Sequence, residues 1–351
     1  MLSQSPPQSI CVVRLSAIGD TCHALAVVRT IQDAWPETRI TWIIGKTEAS
    51  LLGDIPEIEF IIFDKARGKD ARAQIRKKLA TRKFDVALCM HASMRTNLFI
   101  RAIRSPVRLG YDFARARDFQ WLFSNQRIPA VQGQHVLDAM LEFTKAIGIS
   151  GQKLRWDIPL SSAHRDFAAQ YRHDGRPLMV ISPCSSQRAR NFRNWSAENY
   201  AAAANYARNK FACDIVLTGG NSTLEQEYGV AISNLCGKGV INLMGKTNLK
   251  QLLAIIAEAD LLLCPDSGPA HMATSVGTPV VGLYATSNPD RTGPYLHRDL
   301  VVNAYPEACR QFLGKPVEQL RWGRRVRDAG AMGLIRLGKV NERIQSVLGR
   351  K

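Results

Sequence analysis

The chain has 351 residues, of which 46% are hydrophobic and 22% charged, an ordinary balance for a globular protein. That length is too great for one compact sheet layer and predicts two domains, each with enough core to need no disulfide or metal staple. A net charge of +17 points to an anionic partner: nucleic acid, a phosphorylated ligand or an anionic membrane surface.

Apolar runs of strand length alternate with helical periods along the chain, the pattern of parallel sheets with crossover helices. Ile10–Leu15 reads as a first strand, Ser16–Asp20 as a loop, and Thr21 to about Trp35 as a helix. Strands are expected at Ile40–Ile44, Phe60–Phe63 and Phe84–Met90, with helices over the basic segment 65–83 and over Ser93–Ile103. The Arg- and aromatic-rich region 112–134 reads as irregular, and His135–Ile147 as a helix closing the first half. Residues 150–176 form a looser bridge. The pattern then restarts with a strand at Leu178–Ser182, a helix at Ser196–Lys210 and a strand at Asp214–Leu217. Helices at 223–235 and 248–258, strands at 261–264 and 279–284, and a last helix at 339–348 complete two Rossmann-like halves. Ligands of such sheets bind outside the carboxyl ends of the strands, so the loops after strands are where chemistry is expected.

The eight cysteines include no C-x-x-C pair, so the zinc and thioredoxin readings lack their spacing. Most lie in or beside apolar runs, as free thiols in a reducing cytosol do. The start, MLSQSPPQSI, has neither the basic nor the apolar region of a signal peptide. No run of 18 apolar residues predicts a membrane span. Gly245-Lys246-Thr247 resembles the end of a P-loop, but five residues rather than four separate Gly239 from Gly245. The G-x-G-x-x-G fingerprint is absent after the first strand, where SAIGDT stands, which weakens a dehydrogenase reading.

Three loops can carry chemistry. Asp20, after the first strand, is either a helix N-cap or a general base toward an acceptor hydroxyl. His23, one turn on, can polarise the site, bind substrate or simply pack. After the first strand of the second half, Ser185 and Ser186 precede Arg188, Arg190 and Arg193, a set that suits a phosphate or an ordinary hydrophilic loop. In CPDSGPAHMATSVGTPVVGLYA, Asp266-Ser267-Gly268-Pro269 stands where a strand hands over to a helix. Backbone N–H groups there point at any bound anion, Gly268 lets a ligand come close, and His271 can donate to a phosphate oxygen. A capped helix with a packed histidine is the plainer alternative.

The pairing of RLSAIGDTCHALAVV with DSGPAHMATSVGTPVVGLY, joined by GKTNLKQLLAIIAEADLLLCPDSGPAHMA and Asn288-Pro289…Arg291-Thr292-Gly293-Pro294-Tyr295, resembles glycosyltransferase family 9. That family contains the ADP-heptose:lipopolysaccharide heptosyltransferases. The stretch through ITWIIGKTEASLL is especially similar to its heptosyltransferase I branch. The resemblance implies an α/β GT-B fold, two Rossmann-like domains facing a central cleft. Residues 1–165 would bind the acceptor, 166–335 the nucleotide-sugar, and a helix in 336–351 would cross back to the first domain. It implies an inverting transfer of heptose from ADP-heptose to Kdo, phosphorylated in that branch, without metal or cofactor. It makes Asp20 the catalytic base and gives Asp266, Ser267, Gly268, His271, Ser185 and Ser186 to the donor. Arg193 stands where many members have a lysine, which changes the geometry though not the charge. Glu225, with Glu227 as rival, is the expected ribose-binding acid, and Thr247 a contact near the base.

The basic residues of the first half would recognise a phosphorylated Kdo–lipid A acceptor and hold the enzyme at the cytoplasmic face of an anionic membrane. Arg101 and Arg104, extending from the helix after a central strand, are the acceptor candidates there, with His23. Three other readings compete: a transferase of the same fold with another donor or acceptor, a nucleotide-sugar sensor without turnover, and a nucleic-acid-binding protein. The last lacks any helix-turn-helix, zinc-finger or RRM pattern, so no nucleic acid is expected as partner.

Overall fold

The computed structural model describes residues 5–151, 153–185 and 191–349 and divides into two units, Met1–Pro159 and Leu160–Lys351. In the first unit the order is β1 (Ser9–Val13), α1 (Ile18–Ala34), β2 (Arg39–Gly45), α2 (Lys46–Leu52), β3 (Ile58–Phe63) and α3 (Gly68–Ala80). Then come β4 (Val86–Leu88), α4 (Met94–Ile100), β5 (Val107–Gly110), β6 (Gln126–Arg127) and α5 (Val136–Ala146). The second unit runs α6 (Ser162–Ala169), β7 (Leu178–Ile181), α7 (Ala197–Phe211), β8 (Asp214–Leu217), α8 (Thr223–Cys236), β9 (Val240–Asn242) and α9 (Leu249–Glu258). It ends with β10 (Leu261–Pro265), α10 (Gly268–Val276), β11 (Val280–Tyr284), α11 (Pro289–Thr292), β12 (Val302–Asn303), α12 (Tyr305–Leu313) and α13 (Leu337–Leu348).

Each unit is built on six parallel strands, in the orders β3-β2-β1-β4-β5-β6 and β12-β11-β10-β7-β8-β9. These are the same doubly wound order, with the switch point between β1 and β4 in one sheet and between β7 and β10 in the other. The central strands are apolar throughout and buried on both faces, as covered parallel strands must be: Ile10–Val13, Leu178–Ile181 and Leu261–Cys264 are all inaccessible. The register sets Ile10 beside Ile40 and Val86, and Leu263 beside Ile181. One core gathers Val13, Ile43, Ile75, Ala87 and Phe99 in the first unit, and another gathers Ile181, Tyr200, Leu217, Leu263 and Leu283 in the second.

Several elements depart from the sequence reading. α1 begins at Ile18 rather than Thr21, so Asp20 is the third helical residue and not the N-cap, which is Ala17. The short strands β5, β6, β9 and β12, and the helices α2 and α12, form where no periodic run announced them. α6 stands inside the stretch read as a loose bridge. Ser161 caps it, but only Ala168 of its residues is buried, so it carries no apolar stripe to read. α6 packs on α9 and belongs to the second unit, which begins at Leu160. The terminal helix α13 packs on α7 and places Val340, Ile344 and Leu348 in the second unit's core. No helix among the described residues is long and apolar enough to cross a membrane.

Candidate functional site

The carboxyl ends of β1 and β4 meet at the first switch point, and a charged network joins them. Arg14, one residue past β1, is nearly buried. Its Nη2 lies 2.5 Å from Asp20 Oδ2, and its Nη1 donates to the Met90 carbonyl at 2.6 Å. The Asp20 carboxylate also accepts weakly from the Ala17 N–H, at 3.4 Å. An acid in the first turn of α1 suits the positive end of the helix dipole. The Asp20 side chain keeps 35% of its surface accessible, so the carboxylate is oriented by Arg14 and still open to a hydroxyl.

His91, just past β4, completes this edge. Its Nδ1 accepts the Leu15 N–H at 3.2 Å, so the neutral ring carries its proton on Nε2. Burial, and then the Arg14 charge, push its pKa down to about 4 from the ordinary 6.5. Glu48, in the first turn of α2, is buried nearby. Burial raises its carboxyl above the usual range, against the opposing pull of its own backbone and of Arg14. Gly45 is required beneath it: a Cβ there would collide with the Leu15 carbonyl and the Glu48 carboxylate.

The second switch point gathers a different set. Asp266, past β10, is buried. Its Oδ2 accepts from Ser287 Oγ at 2.7 Å and lies 3.7 Å from Arg193 Nη1 and 4.0 Å from Arg325 Nη2. Arg193 also donates from Nη1 to the Asp266 carbonyl at 2.8 Å and from Nε to Asn191 Oδ1 at 3.0 Å. Two separate contacts fix this planar guanidinium, a task that the lysine expected by resemblance could not share. Ser185 is buried, with its N–H donating to Asn194 Oδ1 at 2.9 Å and its hydroxyl on Asn191 Oδ1 at 3.0 Å. Ser267 occupies the N-cap of α10 without making a capping hydrogen bond, and Gly268 and Pro269 open the helix. The first N–H groups of α10 are thus presented beside two arginines, a setting suited to an anion. His271 follows one turn into α10, partly buried.

Asp20, Asp266, Ser267, Gly268, His271, Ser185 and Arg193 therefore all stand at carboxyl-edge switch points, four of them on one strand-to-helix junction. Ser186 lies outside the described residues. Glu225 sits past β8, the second strand of its sheet, where Rossmann folds place a ribose-binding acid. It is also the capping-box acid of α8, accepting from the Gly220 N–H at 2.7 Å and from Ser222 Oγ at 2.5 Å. A Cβ on Gly220 would press on that carboxylate at 2.8 Å. Glu227 is exposed on the helix. Thr247, half-buried, lies in the turn after β9.

Three acceptor candidates are placed elsewhere. His23 is buried with its ring edge-on to His135, centroids 5.5 Å apart. Arg101 is the C-cap of α4, and Arg104 donates to the Ala80 carbonyl at the end of α3, at 3.1 Å. Both helices run from the carboxyl edge of the sheet to its amino edge, so these arginines stand at the edge opposite Asp20. Sequence reading did not single out Arg14, His91, Glu48, Ser287 or Arg325. Only Arg14 left a signal, as a lone cation closing an apolar run. Among the described residues, no group of three His, Cys, Asp or Glu is disposed to hold a metal ion.

Known proteins resemble this chain in sequence and in fold. Residues 72–319 match the family described as Glycosyltransferase family 9 (heptosyltransferase). The chain is 40% identical over 334 residues to the lipopolysaccharide core heptosyltransferase OpsX of Haemophilus influenzae, covering 95% of each chain. A glycosyl transferase family 9 structure from Veillonella parvula superposes with a TM-score of 0.80 at 21% identity, covering 98% of each chain. The Escherichia coli heptosyltransferase WaaC, solved with ADP, does so with a TM-score of 0.74 at 18% identity, over 96% of this chain and 99% of that one. At these identities the structural likeness is one of fold, the α/β GT-B class.

Proposed function

This chain belongs to glycosyltransferase family 9 and is a glycosyltransferase. From that premise we propose that it transfers L-glycero-D-manno-heptose from ADP-heptose to a phosphorylated Kdo of the lipopolysaccharide inner core, inverting the anomeric centre without a metal. A heptosyl donor and a lipopolysaccharide acceptor are supported by the near-full-length likeness to the Haemophilus enzyme, and ADP as leaving group by the complex of the Escherichia coli enzyme.

The observation that carries the chemistry is Asp20, ion-paired to Arg14 and still partly accessible. In a single displacement, Asp20 takes the proton from the acceptor hydroxyl while that oxygen bonds to the anomeric carbon. The bond from that carbon to the β-phosphate oxygen breaks, and ADP leaves with the electron pair. Charge then grows on the diphosphate. Arg193, His271 and the N–H groups opening α10 are suited to stabilise it, with Ser185 and Ser267 supplying hydroxyl contacts. Asp266 is better read as the anchor of those arginines than as a direct phosphate contact, since two negative groups would repel. Glu225 keeps the ribose role over Glu227, because in the first turn of α8 its carboxylate turns back to Gly220 in the loop after β8, whereas Glu227 is exposed on the helix. Thr247, one strand further out, is left for the adenine side.

The test is transfer from ADP-heptose to phosphorylated Kdo–lipid A in the presence of EDTA, with UDP and GDP compared against ADP as inhibitors. Turnover that resists EDTA and is inhibited preferentially by ADP supports the reading. Turnover abolished by EDTA removes the metal-free mechanism, and preferential inhibition by UDP or GDP removes the donor.

A further inference from the structure

The segment between β5 and β6 exposes an unusual amount of apolar surface for so short a stretch. Phe113 is 65% accessible, Phe119 59%, Trp121 39% and Leu122 64%. The rings gather into one cluster, with centroids 6.2 Å apart for Phe113 and Trp121 and 6.3 Å for Phe119 and Trp121. The Arg127 guanidinium lies over the Phe113 ring at 4.2 Å, and Arg117 stands exposed between the aromatic residues.

This is a built surface and not a loose loop. Gln120, fully buried between the exposed residues, donates to the Cys89 carbonyl at 2.8 Å and accepts the Tyr111 N–H at 3.1 Å. Asp112 accepts the Ala114 N–H at 2.9 Å and pairs with Arg115, which reaches Gln134 at 2.8 Å. Asp118 accepts the Met94 N–H at 2.8 Å, and its carbonyl accepts from Asn97 Nδ2 at 2.6 Å. The backbone pays for the display: Asp118 and Phe119 have φ of +52° and +58°, a left-handed conformation that is costly for a phenylalanine. Strain held in place by buried hydrogen bonds, in order to point an aromatic ring at solvent, suggests that the ring has a use there.

We propose that this aromatic and arginine surface docks the first unit on an anionic bilayer. Large amphipathic rings with a flanking leucine suit the interface between headgroups and acyl chains, and neighbouring arginines suit its negative charge. The two acids within the segment, Asp112 and Asp118, are both occupied by internal hydrogen bonds and leave the basic character dominant. A second copy of the chain is a poorer occupant, because a two-fold contact would bring the same arginines together. The placement is also apt. Gln120 grips the end of β4, the strand end that Arg14 holds through Met90 and that His91 joins to Leu15. Docking here sets the carboxyl edge that carries Asp20 beside the bilayer. That this serves a lipid-borne acceptor rests on the proposed function; the docking itself does not.

The test is cosedimentation of the full chain with vesicles of phosphatidylcholine alone and of phosphatidylcholine mixed with phosphatidylglycerol. Wild type, a Phe119→Ser/Trp121→Ser/Leu122→Ser variant, an Arg117→Gln/Arg127→Gln variant and Phe119→Gly are compared. The last relieves the left-handed strain and so guards against simple misfolding. The expected result is wild-type binding to the anionic vesicles that falls about tenfold or more in the triple variant and falls in the arginine variant. Transfer to a water-soluble acceptor fragment is unchanged in all of them. Wild type that ignores anionic vesicles, or a triple variant that binds as wild type does, overturns the proposal. So does a triple variant that only dissociates an oligomer in sedimentation. If no variant, wild type included, transfers to the soluble fragment, the proposed reaction falls while the vesicle result still stands on its own.

Discussion

Acid should destabilise the first unit through His91. The folded ring is held neutral, with a pKa of about 4 against an ordinary 6.5, and its Nδ1 must stay unprotonated to accept the Leu15 N–H. Between those two values the unfolded chain binds a proton that the folded one refuses. Stability is therefore fully present above about pH 6.5 and is lost as the pH falls toward 4. That difference is worth about 3 kcal/mol at its limit, most of which should be lost between about pH 7.5 and pH 4.5. His91 keeps some contact with solvent, so about 2 kcal/mol is the working figure. His91→Asn keeps an acceptor for Leu15 and cannot titrate. Urea unfolding of both proteins across this range is the assay. The wild type should lose about 2 kcal/mol more than the variant on acidification. Parallel pH curves would refute the reasoning and show that burial does not hold the ring neutral.

Three further outcomes follow from named contacts. Arg193→Lys cannot keep both the Asn191 and Asp266 contacts, and ADP affinity measured by calorimetry should weaken by about tenfold, or 1.4 kcal/mol. Glu225→Ala should lower stability by about 1 kcal/mol through its capping box and also weaken ADP binding, whereas Glu227→Ala should do neither; thermal melts with and without ADP separate the two effects. Gly45→Ala pushes a methyl into the Leu15 carbonyl and the Glu48 carboxylate and should cost about 1–3 kcal/mol by urea unfolding.

What could be read from the sequence follows from how local each signal is. Asp266 directly follows an apolar run and Asp20 stands in the short stretch after one, and a doubly wound sheet puts loops of that kind at its ligand edge. The central strands β8, β10 and β11 are continuous apolar runs and appear nearly where expected. β5, β6, β9 and β12 are only two to four residues long, too short for any period, and exist because a neighbouring strand offers its edge. Asp20 could be read as an N-cap or a base, and the N-cap alternative falls because α1 starts three residues earlier than expected, without a capping side chain, on Ala17. Arg101 and Arg104 read as acceptor candidates because they extend from the helix after a central strand. However, α4 and its 1.5 Å rise per residue carry the chain about 10 Å away, to the opposite edge. Ser287 holds Asp266 from 21 residues downstream, and His91 reaches Leu15 from 76 residues away. Such partners are products of strand order and have no signature of their own. The exposed rings of 113–122 read as part of an irregular region, since nothing in composition says that Gln120 would be the buried residue and Trp121 the exposed one.

The central claim is that Asp20 is the base and that the donor is held by other residues. Steady-state transfer and ADP calorimetry on wild type and Asp20→Asn test it together, with a thermal melt to confirm that both are folded. Turnover should fall about 10²–10⁴-fold while the ADP dissociation constant stays within about twofold. Turnover within about tenfold of wild type, or a loss of ADP affinity as large as the loss of turnover, would contradict the assignment.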